Sequence, residues 1–222
     1  MKIHRGLKGY LQGFGGFKAL GLARDAYNLV HYGNMAPRFA ERIFVDPKSC
    51  EYAIRLGSQV FSSGRVLRES IVFEKKNILR DEPLISGCLA HWINGQDWDS
   101  TGLLQRLTKQ VKEVGVVDGC RSEKDVIERY ERLDHLFDQV KKEGRLQSKL
   151  ELGGYREMGG VLIHIGPDGE FYFGGNGNHR LAIALVLELD EIPAQLGSIH
   201  IEALERLPDL RRGSAGGVQR ER

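Results

Sequence analysis

Cysteine is scarce in this sequence. Only Cys50, Cys88 and Cys120 occur in 222 residues, with no CxxC pair. An odd, widely spaced set argues against a disulfide framework and a structural zinc site, and makes a reducing cytoplasm the expected location. Long apolar runs are missing too: no window approaches the roughly 18 consecutive apolar residues of a membrane-spanning helix. The start, Met1-Lys2-Ile3-His4-Arg5, runs into glycine-broken sequence rather than an apolar signal core, so no secretory signal is expected there. Acids are absent from residues 1–24, whose five Lys or Arg give +5. Residues 208–222 carry +2, so with a formal net of +2 the body 25–207 carries −5. An acidic body between basic ends is the reverse of a surface that wraps nucleic acid, yet it leaves room for a local anion pocket. The remaining composition, 41% hydrophobic and 28% charged, is ordinary for one globular domain with or without an extension.

The chain divides into a basic, Gly-rich arm (1–40), a body (41–207) and a basic tail (208–222). The tail has little apolar content and reads as disordered. In the arm, Ile3, Leu7, Tyr10, Phe14 and Phe17 fall on one helical face, but the interspersed glycines cost about 1 kcal/mol each and argue against a stable helix. The arm either packs on its own domain or seeks a lipid surface or a partner. Arg42-Ile43-Phe44-Val45 before Asp46-Pro47 predicts a strand. Residues 48–65 suggest a short helix before Gly57. Val66-Leu67, Ser70-Ile71-Val72-Phe73 and Leu84-Ile85 suggest short strands. Asp99 or Ser100 is placed to cap a helix over 101–114 with Leu103, Leu104, Leu107 and Val111 on one side. The clearest helix is 122–143, with Ser122 and Asp125 as a capping pair, a stripe of Ile127, Tyr130, Leu133, Phe137 and Val140, and Gly144 as its stop. A hairpin of 161–165 and 170–173 turns at Pro167-Asp168-Gly169; a helix from Asn178 to about Leu189 and a strand at 192–196 follow.

The chemistry concentrates in Phe173-Gly174-Gly175-Asn176-Gly177-Asn178-His179-Arg180, which joins a strand to a helix. Glycine lets the backbone turn sharply and approach a ligand. The first helical N–H groups lack partners within the helix, and with the helix dipole they favour an anion. Arg180 adds a planar fork for phosphate oxygens, His179 a switchable donor, and Asn178 a cap or ligand contact. Gly174, Gly175, Gly177, Asn178, His179 and Arg180 are therefore the candidate phosphate-binding residues. The alternative is a Gly-rich turn with an Asn cap and a surface Arg. Neither a Walker loop nor a dinucleotide fingerprint is present.

The run FGGNGNHRLAIALVLELDEIPAQL, with VLIHIGPDGEFYF before it, resembles the ParB/sulfiredoxin superfamily. The resemblance covers roughly 41–47 and 120–200, leaving 48–119 as a helical and loop insertion. It implies an α+β fold, a small mixed sheet with packed helices, and a nucleotide phosphate held by the Gly-rich loop and Arg180. Members include CTP-binding partition proteins, sulfinic acid reductases, free-serine kinases and nucleases. Sulfiredoxins place a cysteine before the His-Arg pair; Asn178 stands there and cannot supply the nucleophile. Only about 22 residues follow His200, so the helix-turn-helix of partition proteins is absent from the pattern, and sequence-specific DNA binding is not expected.

A phosphoryl-transfer enzyme or NTPase using ATP or CTP with Mg²⁺ also needs carboxylates. Asp97 and Asp99 are two apart in a predicted loop and are the candidate metal ligands and catalytic acids; the alternative is a polar turn in which Asp99 caps the next helix around a buried Trp98. Glu157 is the next catalytic candidate, against a surface Arg–Glu pair, and Asp118 a third. His164 reads as a core histidine, and His200, at the end of the last strand, is placed where it could face the pocket. A kinase or NTPase acting on a small-molecule or protein acceptor is the leading expectation. A nucleotide-gated binding or scaffold module without turnover and a DNA-associated, nuclease-like protein are the alternatives.

Overall fold

A computed structural model describes residues 14–213. In chain order the first half contains α1 (Phe14–Tyr32), β1 (Arg42–Val45), β2 (Tyr52–Ala53), α2 (Gln59–Ser62), β3 (Arg65–Leu67), β4 (Asn77–Ile78), α3 (Pro83–Asn94) and α4 (Leu103–Val114). The second half contains α5 (Glu123–Glu143), β5 (Val161–Ile165), β6 (Phe171–Phe173), α6 (Asn178–Val186), β7 (Ile192–His200) and α7 (Leu207–Arg212). The fold is α+β, with a mixed sheet in the order β1-β7-β5-β6-β2-β4.

β7 is the axis of the sheet. All nine of its residues are buried, as expected of a strand covered on both faces, and its polar Gln195, Ser198 and His200 are hydrogen-bonded. β5 lies parallel along one flank. The other flank is shared: β1 pairs antiparallel with Ile192–Gln195, and β3 parallel with Ser198–His200. β5 and β6 form the expected hairpin, closed where the Gly169 N–H donates to the Gly166 carbonyl. α5 starts on the expected capping box, the Ser122 hydroxyl accepting from the Asp125 N–H and the Asp125 carboxylate accepting from the Ser122 N–H. Gly144 closes it in the left-handed conformation.

Several elements differ from the sequence reading. Residues 48–119 are more than helix and loop, since β2, β3 and β4 join the main sheet. The helix near Gly57 follows it. Ser70–Phe73 is a 3-10 turn, and Leu84-Ile85 belong to α3, which starts on Pro83. α4 starts after Gly102, and no side chain caps it, so neither Asp99 nor Ser100 plays that part. Gly102 and Gly115 bracket α4, both at positive φ and with open space around them. On α5 the buried position is Val126, while Ile127 is exposed. The segment read as a disordered tail from 208 forms α7 as far as Arg212; residues beyond 213 lie outside the described residues.

α1 is helical across Gly16 and Gly21 because tertiary packing outweighs propensity. A Cβ on Gly21 would lie 2.9 Å from Phe39 Cδ1, so glycine is what lets the helix approach. The Asp25 carboxylate accepts from the Phe39 N–H and pairs with Arg156 at 2.7 Å. The Asn28 amide donates to the Pro37 and Gly64 carbonyls. From the other end of the chain, Arg211 pairs with Glu41 and donates to the Ala36 carbonyl. Residues 36–41 thus tie both terminal helices to β1. The sequence candidates Ile3, Leu7 and Tyr10 lie outside the described residues.

Candidate functional site

β6 delivers the chain to the glycine loop, and α6 leaves it. The loop is shaped first by its own packing. A Cβ on Gly177 would lie 2.7 Å from Val161 Cα, and one on Gly174 2.6 Å from Leu162 Cδ2, so these two glycines let the loop lie on β5. Gly175 faces the Arg55 guanidinium, which pairs with Glu82. Gly177 also has φ +80°, which only glycine adopts readily. The Asn178 amide donates to the Gly175 carbonyl and so staples the loop; no side chain caps α6. The first N–H groups of this nine-residue helix therefore remain for another acceptor.

The loop and this helix start open on a cleft of about 620 Å³. Gly175, Gly177, Asn178, His179 and Arg180 all line it; Gly174 does not. Four of the lining side chains are cationic, Arg106, Arg129, Lys149 and Arg180, against one acid, Asp118. The opposite wall is aliphatic, built from α3, α4 and α5 by residues such as Leu84, Leu107, Leu133 and Leu136. The cleft has the size and mixed lining of a small-molecule site.

Arg180 is 8% exposed. One of its Nη atoms donates to the Gln147 carbonyl, and its Nε has no hydrogen-bond partner among the described residues. Burial lowers its pKa, opposed by Glu157 and Glu151. Burial likewise lowers the pKa of Lys149, helped by Arg180. Arg129 reaches the Asp118 carbonyl and carboxylate, at 3.2 and 3.4 Å, while its Nε is also unpartnered among the described residues. Asp118 arrives on a tight turn: Asp118 and Gly119 both have positive φ, bracketed by the Val117–Cys120 bridge.

His179 differs from its sequence reading. Its ring packs edge-on to Tyr130 at 5.8 Å, and burial, then Arg129, lowers its pKa to about 4. At neutral pH it is an uncharged donor or acceptor rather than a switchable cation, and its buried Nε2 lacks a partner among the described residues.

The candidate carboxylates separate. Glu157 is fully buried rather than in a surface pair, and it does not line the cleft. Both its oxygens accept from the Lys149 N–H at 3.0 Å; burial raises its pKa, opposed by that bond and by Arg180. It is a buried counter-charge beneath Lys149 and Arg180. Arg156 turns away from it to Asp25.

Asp97 and Asp99 are exposed, and neither lines the cleft. Asp99 accepts from the Gln105 amide at 3.3 Å. Among the described residues no group of three or more His, Cys, Asp or Glu is arranged to hold a metal ion. A Mg²⁺ ion on Asp97 and Asp99 does not fit this site, and no step is drawn through it. Trp98, between them, is a core anchor: it stacks on His91 at 3.8 Å, and its Nε1 donates to Asp134. Asp134 also accepts from the Trp92 indole N–H.

His200 is buried and bonded to Ser70 and the Arg68 carbonyl. His164 is buried, with Nδ1 accepting from the Ser198 N–H. Both are core histidines, and His200 does not line the cleft, contrary to its sequence reading. Sequence reading missed Arg106, Arg129 and Lys149. Arg129 precedes Tyr130 on the α5 stripe, which hints at its place; Lys149 lies in an irregular stretch without periodicity to mark it.

No protein-family model matches this chain, and neither a curated protein nor a solved structure matches it at a significant level. What fold and site define is a class: an α+β domain with a cationic cleft at a helix N-terminus. Among the described residues no helix is long and apolar enough to cross a membrane.

Proposed function

We propose that this chain is a nucleotide-binding module of the ParB/sulfiredoxin type, holding phosphate at the start of α6. Arg180, Lys149 and Arg129 would grip the phosphates, and the aliphatic wall would take the base and sugar. The observation that carries this reading is Arg180, buried in the cleft with one Nη on the Gln147 carbonyl and its Nε unpartnered among the described residues. A charged donor is rarely buried without an acceptor, and a phosphate at a helix N-terminus is the natural one. The resemblance of the Gly-rich loop to that superfamily supports a nucleoside triphosphate, ATP or CTP, as the phosphate carrier.

Binding without turnover is favoured over phosphoryl transfer. Among the described residues the one carboxylate lining the cleft, Asp118, is engaged by Arg129, and Glu157 is buried outside the lining. Turnover would rest on Asp118 alone. The cytoplasm is the proposed compartment, in keeping with three buried, free thiols.

Thermal-shift titration with ATP and CTP, with and without Mg²⁺, tests the reading. A ligand at about 100 times its dissociation constant stabilises by roughly 2.7 kcal/mol. The expected result is a shift that needs no Mg²⁺ and that weakens at least tenfold in Arg180→Ala, corresponding to ~1.5 kcal/mol. No shift with any nucleotide at millimolar concentration would remove the reading. Mg²⁺-dependent release of phosphate, abolished in Asp118→Asn, would favour the enzyme.

A further inference from the structure

Helix α1 packs on the domain by one side, which includes the partly buried Tyr32, and leaves a second, apolar face open. Its inner face carries Gly21, Asp25 and Asn28, held by the bonds to residues 36–41 and Gly64 described above. Its outer face carries Ala19, Leu22, Ala23, Ala26, Tyr27 and Val30, all exposed. These positions follow a spacing of i, i+3, i+4, i+7, i+8 and i+11, so they form one stripe about 16 Å long. Leu22 is 65% and Val30 82% exposed, with Leu29 beside them at 61%. A soluble surface seldom leaves such a continuous apolar row open.

The charge along the stripe is cationic over most of its length; exposed Glu202 and Glu205 line a groove with His31 and Tyr32 just beyond its C-terminal end. Asp25 is the only acid of α1 and is turned inward to Arg156. Lys18 and Arg24 lie on the helix, and Arg65 stands close to Arg24 and Tyr27, lining the same groove. The sequence up to Arg24 holds five cations and no acid. Two copies meeting through this face would bring both acid-free segments together, which opposes self-association. An anionic surface meets the apolar row and the cations together.

We propose that α1 is a membrane-surface docking helix, which seats the domain on anionic lipid with the Leu22–Val30 row in the headgroup boundary. The test uses the full chain and sedimentation with vesicles of phosphatidylcholine alone or with 30% phosphatidylglycerol. The expected result is at least tenfold stronger binding to the anionic vesicles, falling with added salt. It should be lost in the double variant Leu22→Glu, Val30→Glu with an unchanged melting temperature, since both side chains point to solvent. Absence of binding at low salt overturns the proposal, as does binding that the double variant leaves intact. So does a concentration-dependent dimer in light scattering that the same two substitutions dissolve, for then the row belongs to a second copy.

Discussion

Burial keeps His164 and His179 neutral, and both have folded pKa values of about 4 against an ordinary 6.5. A depressed histidine binds its proton first in the unfolded chain. The stabilisation from keeping these rings neutral is therefore complete above about pH 6.5, declines as pH falls towards 4, and is lost below it. At about 1.36 kcal/mol per pH unit, each ring contributes up to roughly 3 kcal/mol across that window. Glu157 works in the opposite sense: burial raises its pKa, so protonating it on acidification relieves a buried charge. With two rings against one carboxylate, the urea midpoint is expected to fall steadily from pH 7 to pH 4.5. A His164→Gln variant, whatever its baseline, should show a shallower fall. A midpoint that stays level over this range would contradict the neutral assignment of both rings.

The decisive element is the β6–α6 connection, where the backbone of Gly177 lies against β5. Gly177→Ala would place a methyl 2.7 Å from Val161 Cα and 2.8 Å from the Gly160 carbonyl oxygen, at a φ of +80°. Left-handed strain alone costs about 1–2 kcal/mol, and the clash with backbone adds to it. A loss of at least ~2 kcal/mol in chemical denaturation is expected, together with loss of the proposed nucleotide binding. Unchanged stability would mean that this turn has another shape. The turn, the hairpin before it, β1, and α5 with its capping box were legible in the sequence because each is set by local signals: glycine and proline positions, alternation and a cap. Ser70–Phe73 and Leu84-Ile85 were not, since short apolar runs suit a strand or a helix equally until packing decides. The loop half of the site was legible for the same local reason. Its cationic half was not, because Arg106, Arg129 and Lys149 meet Arg180 only through the tertiary packing of α4, α5 and the 145–160 stretch. Asp97 and Asp99 misled because Trp98 between them is anchored to Asp134, which turns their loop away from the cleft.

At the scale of the whole molecule, the two ends of the described chain are fastened to one short segment. Arg211 is central to that arrangement: it forks onto Glu41 at 2.7 and 3.3 Å, and Glu41 is nearly buried. Arg211→Ala leaves that carboxylate with the Arg38 N–H as its remaining partner among the bonds described. A cost of about 2 kcal/mol is expected, discounted for partial exposure of the pair. In a domain of this size that lowers the melting temperature by roughly 4–8 °C in a thermal scan. No change would restore the reading of 208–212 as a loose tail. Elsewhere, the parts of the cleft differ in how closely they are tied to the sheet. Arg180 follows directly on the glycine loop that lies against β5, whereas α4 hangs between Gly102 and Gly115, with its core side fixed by Leu103, Leu107 and Val111 and its cleft-lining Arg106 and Gln110 exposed. Descendants of this sequence can therefore change the lining of the cleft by drift at a few exposed positions of one helix. Inheritance of the glycine loop that carries Arg180, by contrast, is tied to inheritance of the fold.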